Sequence, residues 1–220
     1  MDNLVEELVR LNQQANLDSL PEVQAIKQVV RSSSSVSHDS LASLCVAAGL
    51  NDYQEAIRAN PDEDSYWGRF VKWAISEGQG TPPWRRFPNI KARRFERFRR
   101  SQLWEARLLE MDSGQVRMGL ALAMGQHPFD KTVCFAPLVL ARLAYVLGRP
   151  FTVVASHPIP IDSRISRLLE RVPGLDPHQV IDRANEARRK FGRPDLTMSD
   201  FDAWAWQENA KGSRNNNTDN

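Results

Sequence analysis

The sequence predicts an all-α protein, and three observations carry that reading. Apolar residues recur at intervals of three and four through most of the chain. The segments patterned in this way stop at glycine, proline or short polar turns. One run, FTVVA at 151–155, has β character, and it is too isolated to build a sheet.

The elements follow in order. Leu4, Leu8 and Leu11 mark a first amphipathic helix, acidic and unlike a secretory leader. Pro21 opens a second helix through VQAIKQVV, since proline suits a first helical position. SSSSVSHD is a low-complexity loop ending in capping residues, and SLASLCVAAG after it is helical and expected to close on Gly49. DEDSYWGRFVKWAISEG places acids where a helix dipole favours them and stops at Gly78. The turn-rich GQGTPP follows. A single two-lobed domain over 1–210 is expected, with its lobe boundary near 78–84. QLWEARLLEM, QVRMGLALAM and KTVCFAPLVLARLAYVLG read as further helices, with Pro137 a candidate kink in the last. SRISRLLERV, PHQVIDRANEARRKFG and SDFDAWAWQENA complete the set, and residues 211–220 form a polar tail expected to be disordered.

Composition narrows the function. No apolar run approaches the ~20 residues of a membrane span, so no membrane partner is expected, and the location expected is cytoplasmic. Cys45 and Cys134 sit in apolar helical patterns and read as reduced core thiols. The four scattered histidines add no metal-ligand spacing, so no metal is expected. The net charge of +2 is unevenly placed: residues 1–64 hold 11 acids and 4 bases, a charge of −7, which leaves +9 for the remainder. The densest stretch, PPWRRFPNIKARRFERFRR at 82–100, has eight basic residues and one acid, interleaved with aromatics. Such a segment suits a nucleic-acid surface. It equally suits an amphipathic helix with Phe95 and Phe98 inward and arginines in water, and one helix can do both.

The run MGQHPFDKTVCFAPLVLARLAYVLG holds a short helix end, a tight connection at 125–130 and a long helix from Lys131. A lysine in the first turn opposes the helix dipole. It either snorkels to solvent or serves chemistry. In HPIPIDSRISRLL, two prolines hold an extended approach to Asp162, which stands where a helix N-cap belongs. Asp162 is therefore a cap, a functional carboxylate, or both. A helix over 131–148 would run roughly 27 Å, and the 13 residues 149–161 can reach about 43 Å when extended. The chain can thus return along the helix and bring Asp162 beside Lys131. An amine and a fixed carboxylate are the parts that Schiff-base chemistry at a sugar carbon needs.

Taken together, QHPFDKTVCF and SHPIPIDSRISRLLERV resemble the archaeal 8-oxoguanine DNA glycosylase family, a branch of the helix-hairpin-helix DNA glycosylases. The K-T-x-x-F and I-P-I-D-x-R-x-x-R-L runs are the most diagnostic parts, and the likeness extends from Pro21 to about Trp206. The resemblance implies an all-α, two-lobed bundle with a central DNA-facing cleft. It implies a bifunctional glycosylase and lyase, acting on double-stranded DNA that carries a damaged base. Lys131 matches the family's catalytic lysine and Asp162 its catalytic aspartate. Asp202 and Trp206 match a D-x-x-x-W pair that helps hold the extruded base, and Trp67 matches a further pocket tryptophan. From the residues alone, the tryptophans of DAWAWQ read as core.

Glu22 falls where the family has a base-reading glutamine, with Gln24 nearby, and the glycine-rich LPGxG-type loop of other helix-hairpin-helix glycosylases is missing. No cofactor is implied, and a monomer associated with the nucleoid is expected. The alternatives are a glycosylase for another modified base, one that defends against foreign DNA being an example, and a non-catalytic DNA-binding protein of the same fold.

Overall fold

A computed structural model describes residues 18, 21–50, 69, 70, 73, 74, 76, 78–84, 87–154, 157 and 158. Trp67, Asp162, Asp202 and Trp206 lie outside these residues, as do the helices expected before Pro21 and after Asp162 and the polar tail. Glu22 has helical backbone, and its side chain is outside the description.

Among the described residues five α-helices and two 3-10 turns have defined bounds, Arg69, Phe70, Trp73 and Ala74 are also helical, and there is no strand. The helices are α1 (Pro21–Ser32), α2 (His38–Leu50), α3 (Pro88–Arg99), α4 (Ser113–Met124) and α5 (Lys131–Val146). The chain divides into two compact units, one Pro21–Thr152 and the other Met1–Leu20 with Val153–Asn220. The turn-rich 78–84 lies inside the first.

That first unit is built on α2 and α5. The Ser37 hydroxyl accepts the Ser40 amide at 3.1 Å, which supplies the cap that starts α2. From Leu41 to Leu50 every residue of α2 is buried, so the helix is apolar all round and needs neighbours on several sides. Gly49 does not end it. A Cβ there would stand 3.0 Å from the Ala136 Cα, so this glycine is what lets α2 lie directly against the backbone of α5. α5 ends sooner than expected, at Val146, where Gly148 takes φ 63° and the Arg149 amide returns to the Ala144 carbonyl at 2.9 Å. Pro137 is accommodated inside α5 and buried.

A second layer is aromatic. Phe95 and Phe98 point inward from α3 with no exposed surface. Trp73 lies 4.7 Å from Phe95 and 4.9 Å from Trp84, centroid to centroid, in the tilted and edge-on arrangements that ring quadrupoles favour. Trp104 caps the cluster at 5.7 Å from Phe95 and 5.6 Å from Phe98.

The segment QLWEARLLEM, expected as a helix, instead forms two 3-10 turns, Gln102–Trp104 and Leu108–Glu110. Distant contacts override its helical pattern. Trp104 is drawn onto the phenylalanines, its carbonyl accepts the Ser43 hydroxyl at 2.8 Å, and Leu108 and Leu109 turn into the core.

Candidate active site and nucleic-acid surface

The structure builds a tight hairpin between α4 and α5. Asp112 starts α4 with a capping box: its Oδ1 accepts the Gln115 amide at 2.8 Å, and Gln115 Oε1 accepts the Asp112 amide at 2.9 Å. Gly125 ends it at φ 60° and ψ 40°, and the Gln126 amide reaches back to the Ala121 carbonyl at 3.0 Å. Only six residues, 125–130, separate the helices.

Polar bonds fix the shape of that connection. Arg117 donates from Nη1 to the Pro128 carbonyl at 3.0 Å and lies over the Phe129 ring at 5.2 Å. The Cys134 thiol donates to the same carbonyl at 3.4 Å. Asp130 occupies the N-cap of α5 without capping it: its Oδ2 accepts the His127 amide at 3.1 Å, bracing the turn. Burial pushes the Cys134 thiol up to about 12, with Arg117 opposing the rise and Asp130 adding to it, so this sulfur is a packing group and not a nucleophile.

Lys131 is the first residue of α5, and its side chain is exposed, with no ion pair or hydrogen bond among the described residues. Of the predicted site residues it is the one whose side chain is described, apart from Gln24, the neighbour of Glu22, which is exposed on α1. Beside it, Thr132 Oγ1 is buried with no partner among the described residues. Among those residues no group of His, Cys, Asp and Glu is placed to hold a metal ion, and no helix is long and apolar enough to cross a membrane.

The basic stretch forms the wall of a groove. Ile90, Arg93, Arg94 and Arg97 of α3 face Met124, Gly125 and Gln126 of the hairpin across a cavity of about 250 Å³. Both readings of this helix hold at once. Lys91, Phe95 and Phe98 recur at helical spacing and are buried, which turns Arg93 and Arg97 to solvent and leaves Arg94 partly covered. Lys91 turns inward with the phenylalanines, unlike the arginines around it. Glu96 holds Arg99 at 3.5 Å and Arg100 at 3.3 Å, so those two cations are partly neutralised at home. Arg97 donates to the Met124 carbonyl at 3.1 Å and ties α3 to the end of α4. Ile90, Met124 and Gln126 were not legible as groove residues, because their grouping depends on how α3 docks on the hairpin. The signal available was weak: Gln126 follows the glycine that ends α4.

The helical bundle thus carries an exposed lysine at the start of α5 and an arginine-lined groove between α3 and the hairpin, a surface whose charge suits a polyanion. The comparisons with known proteins give the chain a family. Residues 17–207 match the AGOG family, N-glycosylase/DNA lyase, and the chain belongs to that family. The fold agrees with an 8-oxoguanine DNA glycosylase from Pyrobaculum aerophilum, Pa-AGOG, solved in complex with 8-oxoguanosine. The two share 15% identity at a TM-score of 0.63, over 94% of this chain and 87% of that one. No curated protein matches the sequence.

Proposed function

We propose that the chain is a bifunctional DNA glycosylase and lyase that removes an oxidised purine, 8-oxoguanine, from double-stranded DNA. The observation that carries this reading is Lys131. Within a chain of the AGOG family it stands exposed at the start of α5, immediately after a braced hairpin.

In this reading the lesion nucleotide is extruded at a cost of about a few kcal/mol, and its base is held by Trp67, Asp202 and Trp206. Asp162 stabilises the positive charge that grows on the deoxyribose and takes a proton from Lys131. The Lys131 amine then forms a bond to C1′ while the glycosidic bond breaks and its electron pair leaves with the base. Opening of the sugar gives the Schiff base. Loss of a C2′ proton then expels the 3′ phosphate, which cuts the strand.

The test is borohydride trapping on an 8-oxoguanine duplex. Lys131→Gln should keep fold and lesion binding and abolish the trapped complex. Asp162→Asn should keep fold and binding while base excision collapses, because asparagine caps a helix about as well as aspartate. Near-normal cleavage by either variant overturns the mechanism.

A second reading, another modified purine as substrate, is favoured by Glu22. An ionised carboxylate only accepts hydrogen bonds, which suits the N1–H and N2–H₂ donors of guanine-type bases without singling out one of them. A panel of modified-base duplexes decides between the two.

A further inference from the structure

We propose that Phe87, with Ile90 behind it, is an apolar wedge that enters duplex DNA lying along the arginine face of α3. The proposal rests on the reading that duplex DNA is the substrate, and not on any chemistry at Lys131.

Phe87 breaks two local rules at one position. It has φ 52° and ψ 45°, and among the described residues no other non-glycine has a positive φ. A bulky L side chain is strained there, whereas glycine or asparagine would not be. It is also the N-cap of α3, where serine, threonine, aspartate or asparagine would satisfy a free amide, and phenylalanine makes no cap bond. A residue that gains local stability from neither its backbone nor its side chain points to a function, because such conflicts collect at functional sites.

The side chain is not recovering that cost by packing. Phe87 is 69% exposed, and Ile90 is 48% exposed one turn along. Yet the tip is held. Its carbonyl accepts the Ile90 and Lys91 amides at 3.1 Å each, Pro88 fixes the chain after it, and Trp84 before it is buried against Trp73. The ring therefore stands at the head of a helix whose other face, Lys91, Phe95 and Phe98, is buried.

What lies beside it identifies the occupant. Positions 87, 90, 94 and 97 fall on one face of a helix, and Ile90, Arg93, Arg94 and Arg97 line one groove. An apolar tip thus leads into a row of cations. From Phe87 to Arg97 is about 15 Å along the axis, close to four base steps at about 3.4 Å each. Arginines spaced in this way meet phosphates while the tip meets the stacked bases. Proteins that kink a duplex insert Phe or Ile between base steps in this manner. An enzyme that extrudes a nucleotide leaves a gap that such a ring can fill.

The experiment uses the full chain and a duplex with 2-aminopurine beside a tetrahydrofuran abasic-site analogue, which needs no base excision. Wild type should raise the 2-aminopurine fluorescence on binding. Phe87→Ala should lose most of that rise with an unchanged salt dependence of binding, and Phe87→Leu should recover part of it. On a lesion duplex, Phe87→Ala should slow single-turnover excision by about five- to 150-fold, the worth of one base–aromatic stack. Phe87→Gly separates a wedge from a structural residue: it relieves the backbone, so the Tm should hold or rise while the fluorescence response disappears.

A full fluorescence rise with Phe87→Ala overturns the proposal, and leaves that ring as a contact for another macromolecule. A lowered Tm with Phe87→Gly also overturns it, because Phe87 would then be supporting the fold. If wild type fails to bind duplex DNA, the substrate reading itself falls first.

Discussion

The arginine groove allows a quantitative test of DNA binding. Arg93 is exposed and Arg94 partly covered, both line the groove, and neither is in an ion pair among the described residues, whereas Arg99 and Arg100 are partly engaged by Glu96. Removing one arginine–phosphate pair should lower the slope of log affinity against log salt by about 0.9. Arg93→Ala with Arg94→Ala should therefore lower it by about 1.8. Between about 50 and 200 mM salt the advantage of wild type over the double variant should shrink about twelvefold, for specific and nonspecific duplexes alike. Fluorescence anisotropy across a salt series measures this directly. Parallel lines for the two proteins would refute the groove as a phosphate surface and return these arginines to a solvated face. Arg97 is unsuited to the same test, because it also holds the Met124 carbonyl.

Four further outcomes follow. Arg97→Ala should lower stability by about 0.5–1.5 kcal/mol, because the bond to the end of α4 disappears, which a thermal melt reads as a Tm lowered by about 1–6 °C. Gly49→Ala should destabilise by about 1–3 kcal/mol, as overpacking does, since its Cβ would press the Ala136 backbone; an unchanged melt would show that α2 and α5 separate freely. Cys45 and Cys134, both pushed up to about 12 from an ordinary 9.0, should resist thiol reagents at about pH 8 until the chain is unfolded. Their raised folded-state values contribute stability that is intact below about pH 9 and lost as pH rises towards about 12, which an alkaline denaturation series would reveal. Trp206→Ala should impair lesion excision far more than nonspecific binding; a variant that simply unfolds would make Trp206 core.

How much of this was legible depends on where each signal resides. The hairpin was readable because its determinants are local: a glycine that ends α4, a six-residue connection and an apolar helix that starts on a lysine. The two faces of α3 were readable because phenylalanine and arginine alternate at helical spacing. The turns between α3 and α4 were not. Their apolar pattern fits a helix, and only the distant Ser43, Phe95 and Phe98 pull it into 3-10 form. Gly49 is ambiguous in the sequence for the same reason, since a glycine that ends a helix and one that admits a neighbouring helix look alike in one dimension. Phe87 carried a signal of the opposite kind, a wrong residue for an N-cap. That mismatch becomes visible only once the start of α3 is known.

In the proposed mechanism the hairpin also accounts for how Lys131, exposed as it is, is positioned to react. A nucleophile must be held within a fraction of an ångström of its target while remaining open to substrate. Those demands conflict for a long, flexible side chain, so the precision has to come from its mount. Here the mount is over-determined: Arg117 and Cys134 converge on the Pro128 carbonyl, Asp130 grips the His127 amide, and Arg97 ties the end of α4 to α3. The proposed mechanism gives none of these four side chains a chemical step. Together they fix where α5 begins, and hence where Lys131 begins. A conservative change such as Arg117→Lys removes the planar fork that bonds the carbonyl and covers the Phe129 ring at once. It should therefore slow single-turnover cleavage while leaving the salt slope of binding unchanged. A fall in both together would show that Arg117 meets phosphate and does not serve the hairpin alone.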